Sequence, residues 1–214
     1  MMVVTQPAPA EQLAAGISQL KIDVPVSRQE QLLAYLVLLQ KWNKVHNLTA
    51  IRLPDKMVTG HLLDSLSVFP HIPAGSLLDV GSGAGLPGIP LAICDPERSV
   101  TLLDSNQKKA AFLRHAIGEL GLQRVTMVNE RAEAWHPGGT FDVITARALS
   151  EIAELVKWSN HLLSPGGLYA AMKGVYPREE IERLPLQFRI RSVLALHVPG
   201  LDAERHLVLI EGAP

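Results

Sequence analysis

Leu77-Leu78-Asp79-Val80-Gly81-Ser82-Gly83-Ala84-Gly85-Leu86-Pro87-Gly88 reads as an apolar strand that breaks into a glycine-rich turn and then enters a helix. Glycine lets the backbone take positive φ and lets a ligand approach the main chain closely, and Pro87 is pre-set for the first turn of the helix that follows. A nucleotide-type cofactor site is therefore expected at the end of this strand. Working outward, short apolar runs near 76–80, 99–103, 124–129, 141–146 and 167–172 alternate with helix-patterned segments. That alternation predicts an α/β domain whose parallel sheet is covered by helices on both faces. Two further runs, 188–197 and 205–211, have no helix pattern between them and are expected to close the sheet as an antiparallel pair.

Upstream, the first third is helical. Residues 1–10 are small and Pro-containing and are expected to fray, and Glu11–Leu20 fits a short helix ahead of the Pro25 break. Ser27-Arg28-Gln29-Glu30 has the form of a capping box, followed by Leu32, Leu36, Leu39 and Trp42 at helical spacing with Tyr35 and Val45 flanking. Trp42 and Tyr35 on one stripe read as core. Pro54–Phe69 fits another helix, with Met57, Leu62, Leu63, Leu66 and Phe69 available for burial. The expected division is a helical N-terminal extension, residues 1–70, packed on a cofactor-binding domain, residues 71–214.

Twenty basic residues against 21 acidic ones leave a net charge of −1, so no global field draws the chain to nucleic acid and any RNA-binding surface must be local. The lone Cys94 excludes an intramolecular disulfide and no Cys/His spacing fits a metal site, which points to a reducing, cytoplasmic setting and to no metal. No apolar run reaches the roughly 20 residues that span a bilayer. A monomer is the expected state.

Two ligands fit the turn. Gly83-x-Gly85-x-x-Gly88 matches the dinucleotide fingerprint, whereas Asp79, two residues ahead of Gly81, matches the D-x-G-x-G pattern of S-adenosylmethionine enzymes. A carboxylate there attracts a ligand's amino group and repels a pyrophosphate. The next strand ends in Asp104, placed to accept the ribose hydroxyls of either cofactor. Asp79, Gly81, Gly83, Gly85 and Asp104 are thus the cofactor-binding candidates, with an NAD-dependent oxidoreductase as the alternative.

The run Asp79–Leu91, the upstream Lys41-Trp42-Asn43-Lys44 with Asn47-Leu48-Thr49, the His61-Leu62-Leu63-Asp64-Ser65 segment and Glu204-Arg205-His206-Leu207 together resemble one bacterial family. It is the 16S rRNA guanine-N7 methyltransferase family, also called glucose-inhibited division protein B, and the likeness runs from about Gln29 to Ile210. Ser82 and Ala84 stand where that family commonly has threonine and proline, and Ala132 stands where valine is expected. The resemblance implies a Rossmann-like S-adenosylmethionine-dependent methyltransferase fold with a seven-stranded, mostly parallel sheet. It also implies methyl transfer to N7 of a guanine in the 530 loop of 16S rRNA, free or in the small ribosomal subunit. By the same resemblance Gly81 and Leu86 line the cofactor, Ala132 and Glu133 flank its adenine, and Arg147 stands at the methyl-transfer cleft, where it is a cofactor-binding candidate as well. A methyltransferase of this fold acting on a different substrate, and a non-catalytic RNA-binding module, are the other readings.

Guanine N7 carries a free lone pair and no proton, so its methylation needs positioning and not a general base. Arg147 is the catalytic candidate in that positioning sense. Arg52, Arg131, Lys173 and Arg205 are the RNA-binding candidates, since they fall near strand ends or the NLTAIR segment and can hold phosphate or guanine O6. Asn47, His61 and Asp64 are candidates for bridging the helical part to the cofactor domain, His61 reading as a packed structural histidine.

Overall fold

The computed structural model describes residues 8–148 and 151–212. The elements run α1 (Pro9–Leu20), α2 (Val26–His46), α3 (Pro54–Met57), a π-helical turn (Val58–Leu63) and α4 (Asp64–Leu66), then β1 (Leu77–Val80), α5 (Gly88–Cys94), β2 (Val100–Leu103) and α6 (Gln107–Glu119). They continue with β3 (Val125–Val128), β4 (Phe141–Arg147), α7 (Ile152–Ser159), β5 (Leu163–Lys173), α8 (Arg178–Glu182), β6 (Phe188–Ala195) and β7 (His206–Gly212). All seven expected strands are present, and Pro9 and Ala10 belong to α1 instead of to a frayed end; residues 1–7 of that expected frayed segment lie outside the described residues.

The sheet order is β3-β2-β1-β4-β5-β7-β6. β1 to β5 are parallel, and β7 runs antiparallel between β5 and β6, so the terminal pair closes the sheet as expected. Alternation along the strands feeds two cores. Leu77, Val143, Ala170 and Leu207 point to one face with α1, α2, α5 and α6, while Leu78, Ile144, Tyr169 and Val208 point to the other with α7. The N-terminal helices share the first core, where Leu13, Leu32, Leu62 and Leu66 pack with Leu102 and Leu209.

Local chemistry differs from the expectation at three points. Ser27 does not cap α2: the helix starts at Val26, and the Pro25 carbonyl accepts from Arg28 N (2.9 Å) and Gln29 N (3.1 Å), while the Gln29 side chain donates to Val24 O (2.8 Å). Proline fixes the entry φ here and takes the N-cap position, which puts Ser27 two positions too deep to cap. Val45 is 72% exposed, because six residues after Leu39 a helix has turned about 600°, away from the buried stripe. The Pro54–Phe69 helix contains the π turn at 58–63, which re-aims the residues after it. No helix among the described residues is long and apolar enough to cross a membrane.

Candidate active site

The turn after β1 folds around its own backbone. Gly81 N and Ser82 N donate to Leu103 O (2.8 and 3.2 Å), Gly85 N and Leu86 N donate to Ser82 O (2.7 and 3.0 Å), and Ser82 Oγ donates to Asp79 O (2.7 Å). Gly81, Gly83 and Gly85 have φ of +68°, +60° and +89°, which only glycine adopts freely. A Cβ on Gly85 would come within 2.6 Å of Ile89 Cδ1, so this glycine serves packing. Gly83 has nothing nearer than 3.7 Å to the place of a Cβ, which leaves its main chain open to a ligand. Pro87 lies one residue ahead of α5 rather than inside its first turn. The turn is also tied from outside, since the buried Tyr35 hydroxyl of α2 donates to Ala84 O at 2.6 Å. Sequence periodicity marked Tyr35 as core but gave no sign of that tether.

Two carboxylates flank the turn. Asp79 is fully buried; its Oδ2 accepts from Gly88 N (3.0 Å), while its Oδ1 has no hydrogen-bond partner. Burial pushes its pKa up to about 7, with the Gly88 N–H only partly offsetting this. A buried oxygen with an unused lone pair beside an open glycine turn suits a cationic or hydrogen-bond-donating ligand group. Asp104 accepts from Gly83 N (2.9 Å) and Asn106 N (2.8 Å), with Lys109 Nζ at 3.8 Å, and its Oδ lone pairs remain numerous enough for hydroxyl donors.

At the carboxyl ends of β1, β2 and β3 lies an open pocket of about 160 Å³. It brings together Gly81, Asp104, Ala132 and Glu133, as expected, and adds Trp158 from α7 as an aromatic wall. Arg131 also lines it, paired loosely with Glu133 (3.7 Å), apart from the cleft where Arg147, Lys173 and Arg205 meet. Asp79, Gly83, Gly85 and Leu86 do not line this pocket; they form the turn beside it. The donor set fits an adenosine-bearing cofactor with an amino group: a ribose-facing carboxylate, a small residue and an aromatic wall for a base, and a second carboxylate at the turn.

A second cleft opens at the carboxyl ends of β4 and β5, lined by Asp64, Arg147, Met172, Lys173 and Arg205. Asp64, reached through the π turn, is 2% exposed and accepts from Arg147 NH1 (2.8 Å) and Arg205 Nε (2.7 Å). One carboxylate thus clamps two guanidinia from positions 83 and 141 residues away. Arg147 also reaches His61 Nδ1 (3.2 Å), whose Nε2 meets Thr49 Oγ1 (2.9 Å). Nδ1 also lies 3.0 Å from the Gly60 carbonyl oxygen, which accepts only, while arginine donates only, so the two neighbours of Nδ1 ask for opposite tautomers. Burial and the Arg147 charge lower the His61 pKa to about 4, which keeps the ring neutral near pH 7. Lys173 pairs with Glu180 (2.7 Å) at the cleft edge. Ala148, next after Arg147, has φ of +54°, a left-handed conformation costly for alanine, at the strand end where positioning matters.

Lys173 and Arg205 therefore converge with Arg147, whereas Arg52 stands apart, donating to Asn47 Oδ1 (2.8 Å). Asn47 caps α2 with φ of +50° and does not bridge to the cofactor side; Asp64 and His61 do. The signal for Asp64 was a charge set inside the apolar run Leu62-Leu63-Asp64-Ser65-Leu66.

Among solved structures, the glycopeptide N-methyltransferase MtfA complexed with S-adenosylmethionine shares the fold (TM-score 0.59, 13% identity, 72% of this chain and 87% of that one). A predicted O-methyltransferase, Atu636 from Agrobacterium tumefaciens, does so too (TM-score 0.57, 22% identity, 72% and 80%). The architecture is that of S-adenosylmethionine-dependent methyltransferases. By sequence, the ribosomal RNA small subunit methyltransferase G of Methylobacillus flagellatus is 55% identical over 200 residues, covering 94% of this chain and 97% of that protein. The protein of the same name from Neisseria meningitidis (strain FAM18) is 53% identical over 201 residues, with the same coverage. The family described as GidB, rRNA small subunit methyltransferase G, matches residues 28–208. With most of its length matched by that family and by relatives above half identity, the chain belongs to the GidB family of rRNA small subunit methyltransferases.

Proposed function

We propose that this chain transfers a methyl group from S-adenosylmethionine to N7 of a guanine in the 530 loop of 16S rRNA. The observation that carries the reading is that a pocket suited to an adenosine cofactor and a cleft lined by Arg147, Lys173 and Arg205 open at the carboxyl ends of neighbouring strands, β1 and β4, of one sheet. When bound, S-adenosylmethionine supplies an electrophilic methyl on a sulfonium centre. Asp104 receives the ribose hydroxyls, Ala132 and Glu133 flank the adenine, and Gly81, Gly83, Gly85 and Leu86 shape the turn around the methionine part. Asp79 offers its free oxygen to the amino group. Arg147, Arg205 and Lys173 would hold phosphate and the guanine O6 edge and so orient N7 toward the methyl donor. No residue removes a proton, because N7 has none to lose; the neutral His61 holds Arg147 instead.

The reading includes a monomeric, cytoplasmic enzyme in which residues 1–70 form a helical extension seated on the S-adenosylmethionine-binding domain of residues 71–214. Calorimetry against S-adenosylmethionine and NAD separates methyltransferase from oxidoreductase, and saturable one-site binding is expected for the first alone. Purified 16S rRNA treated with protein and cofactor should then acquire one N7-methylguanine in the 530 loop, read by borohydride–aniline scission. Modification at another position or base, or none, overturns the substrate assignment.

A further inference from the structure

Beside the C-terminal half of α2 lies a groove of about 490 Å³ that belongs to neither the cofactor pocket nor the Arg147 cleft. Gln40, Lys41, Asn43, Lys44, Arg52 and Met57 line it, and no acidic side chain does. Lys41, Lys44 and Arg52 are exposed, and among the described residues none of the three forms an ion pair. By contrast, the exposed Arg183 pairs with Glu151 and Glu179, and the exposed Arg189 and Arg191 pair with Glu211. In a chain of net charge −1, this groove is therefore a local, uncompensated positive surface. The Asn47 amide oxygen already holds the Arg52 guanidinium (2.8 Å), which lowers the cost of ordering it around an anion.

The floor of the groove is wired to the cleft. Asn43 exchanges two hydrogen bonds with the Thr49 main chain (2.9 and 3.0 Å), Thr49 Oγ1 meets His61 Nε2 (2.9 Å), and His61 Nδ1 meets Arg147 (3.2 Å). Only Thr49 and His61 thus stand between Asn43, at the floor of the groove, and Arg147 at the methyl-transfer cleft. We propose that this groove holds the phosphate backbone of the RNA substrate, as a contact distinct from the cleft that receives the reacting base. This rests on the RNA methyltransferase reading above and extends it to Lys41 and Lys44. The lysines act as point charges and Arg52 as a fork on phosphate, so the contact is independent of base sequence.

The test measures affinity of the full-length protein for a protein-free 16S rRNA transcript at several KCl concentrations, for wild type, Lys41→Gln, Lys44→Gln and the double variant. Arg124→Gln, an exposed charge at the opposite end of the sheet, controls for net charge. Each lysine variant should flatten the slope of log affinity against log salt by about 0.7, and the double variant by about 1.4, whereas Arg124→Gln should not. KM for the transcript should rise with kcat and S-adenosylmethionine affinity unchanged. Unchanged slopes in variants that still methylate RNA overturn the groove while leaving the function intact. A penalty seen with assembled small subunits but absent with the bare transcript overturns it in favour of a protein contact. A wild-type protein that binds no RNA removes the function reading and this proposal together.

Discussion

Consider Asp64→Ala. The carboxylate side chain is 3% exposed and serves two guanidinia whose side chains are 19% and 26% exposed, so its loss strands two partly buried cations at once. Removing one partner of a buried pair typically costs about 3–5 kcal/mol. Here solvent reaches both arginines, and Arg147 keeps His61 while Arg205 keeps the Glu204 carbonyl, which places the loss near about 3 kcal/mol. For a chain of this size that corresponds to a fall in Tm of about 6–12 °C. Urea-induced unfolding of Asp64→Ala, Arg205→Ala and the double variant supplies the measurement. The double variant should be more stable than the sum of the singles predicts by about 1 kcal/mol or more, because it removes one of the stranded charges. Single-turnover methylation by Asp64→Ala should fall sharply while S-adenosylmethionine binding persists. A loss under about 1 kcal/mol with additive singles would mean that the clamp is an ordinary surface ion pair, and the positioning argument for Arg147 would fail.

Two further outcomes follow from the turn. Tyr35→Phe deletes the 2.6 Å bond to Ala84 O and should cost about 1–2 kcal/mol in urea unfolding, with a several-fold weaker cofactor titration; an unchanged titration would sever the link between α2 and the turn. Asp79 titrates near 7 folded against 3.8 unfolded, a raised acid, so its contribution to stability is fully present below about pH 4 and is lost as pH climbs to about 7. Binding runs the other way. An α-amino group stays cationic below about pH 7.7 and prefers the ionised Asp79, so affinity for S-adenosylmethionine should weaken as pH drops below about 7, approaching tenfold per unit. Asp79→Asn should flatten that profile in calorimetry; a flat wild-type profile would contradict the proposed contact.

The strands, the glycine turn and Asp104 were legible because each is written in adjacent residues: period-two burial, punctuating glycines, an acid at a strand end. Gly81, Asp104, Ala132 and Glu133 meet in one pocket because parallel strands deliver their carboxyl ends to one edge, a rule independent of side-chain detail. What stayed hidden depends on tertiary geometry. The convergence of Asp64, Arg147 and Arg205 joins three distant segments, and the π turn that aims Asp64 leaves no periodic trace. Arg131 and Arg52 resembled Lys173 and Arg205 as lone cations, and only the fold sorts them into the pocket beside β1 to β3, a separate groove and the cleft. Ser27 showed the limit of a cap motif when a proline precedes it by two positions.

The place of β7 bears on how the chain comes off the ribosome. β6 is synthesised first, yet its ladder partner in the sheet is β7, which pairs with β5 on its other side. Until residues 206–212 emerge, the nascent chain carries two open hydrogen-bonding edges, β5 and β6, with nothing yet to join them. Arg189 and Arg191 are exposed on β6, and charges on an open strand disfavour its pairing with other chains. Arg205 immediately precedes that final strand, so Asp64 gains its second guanidinium only as the sheet closes.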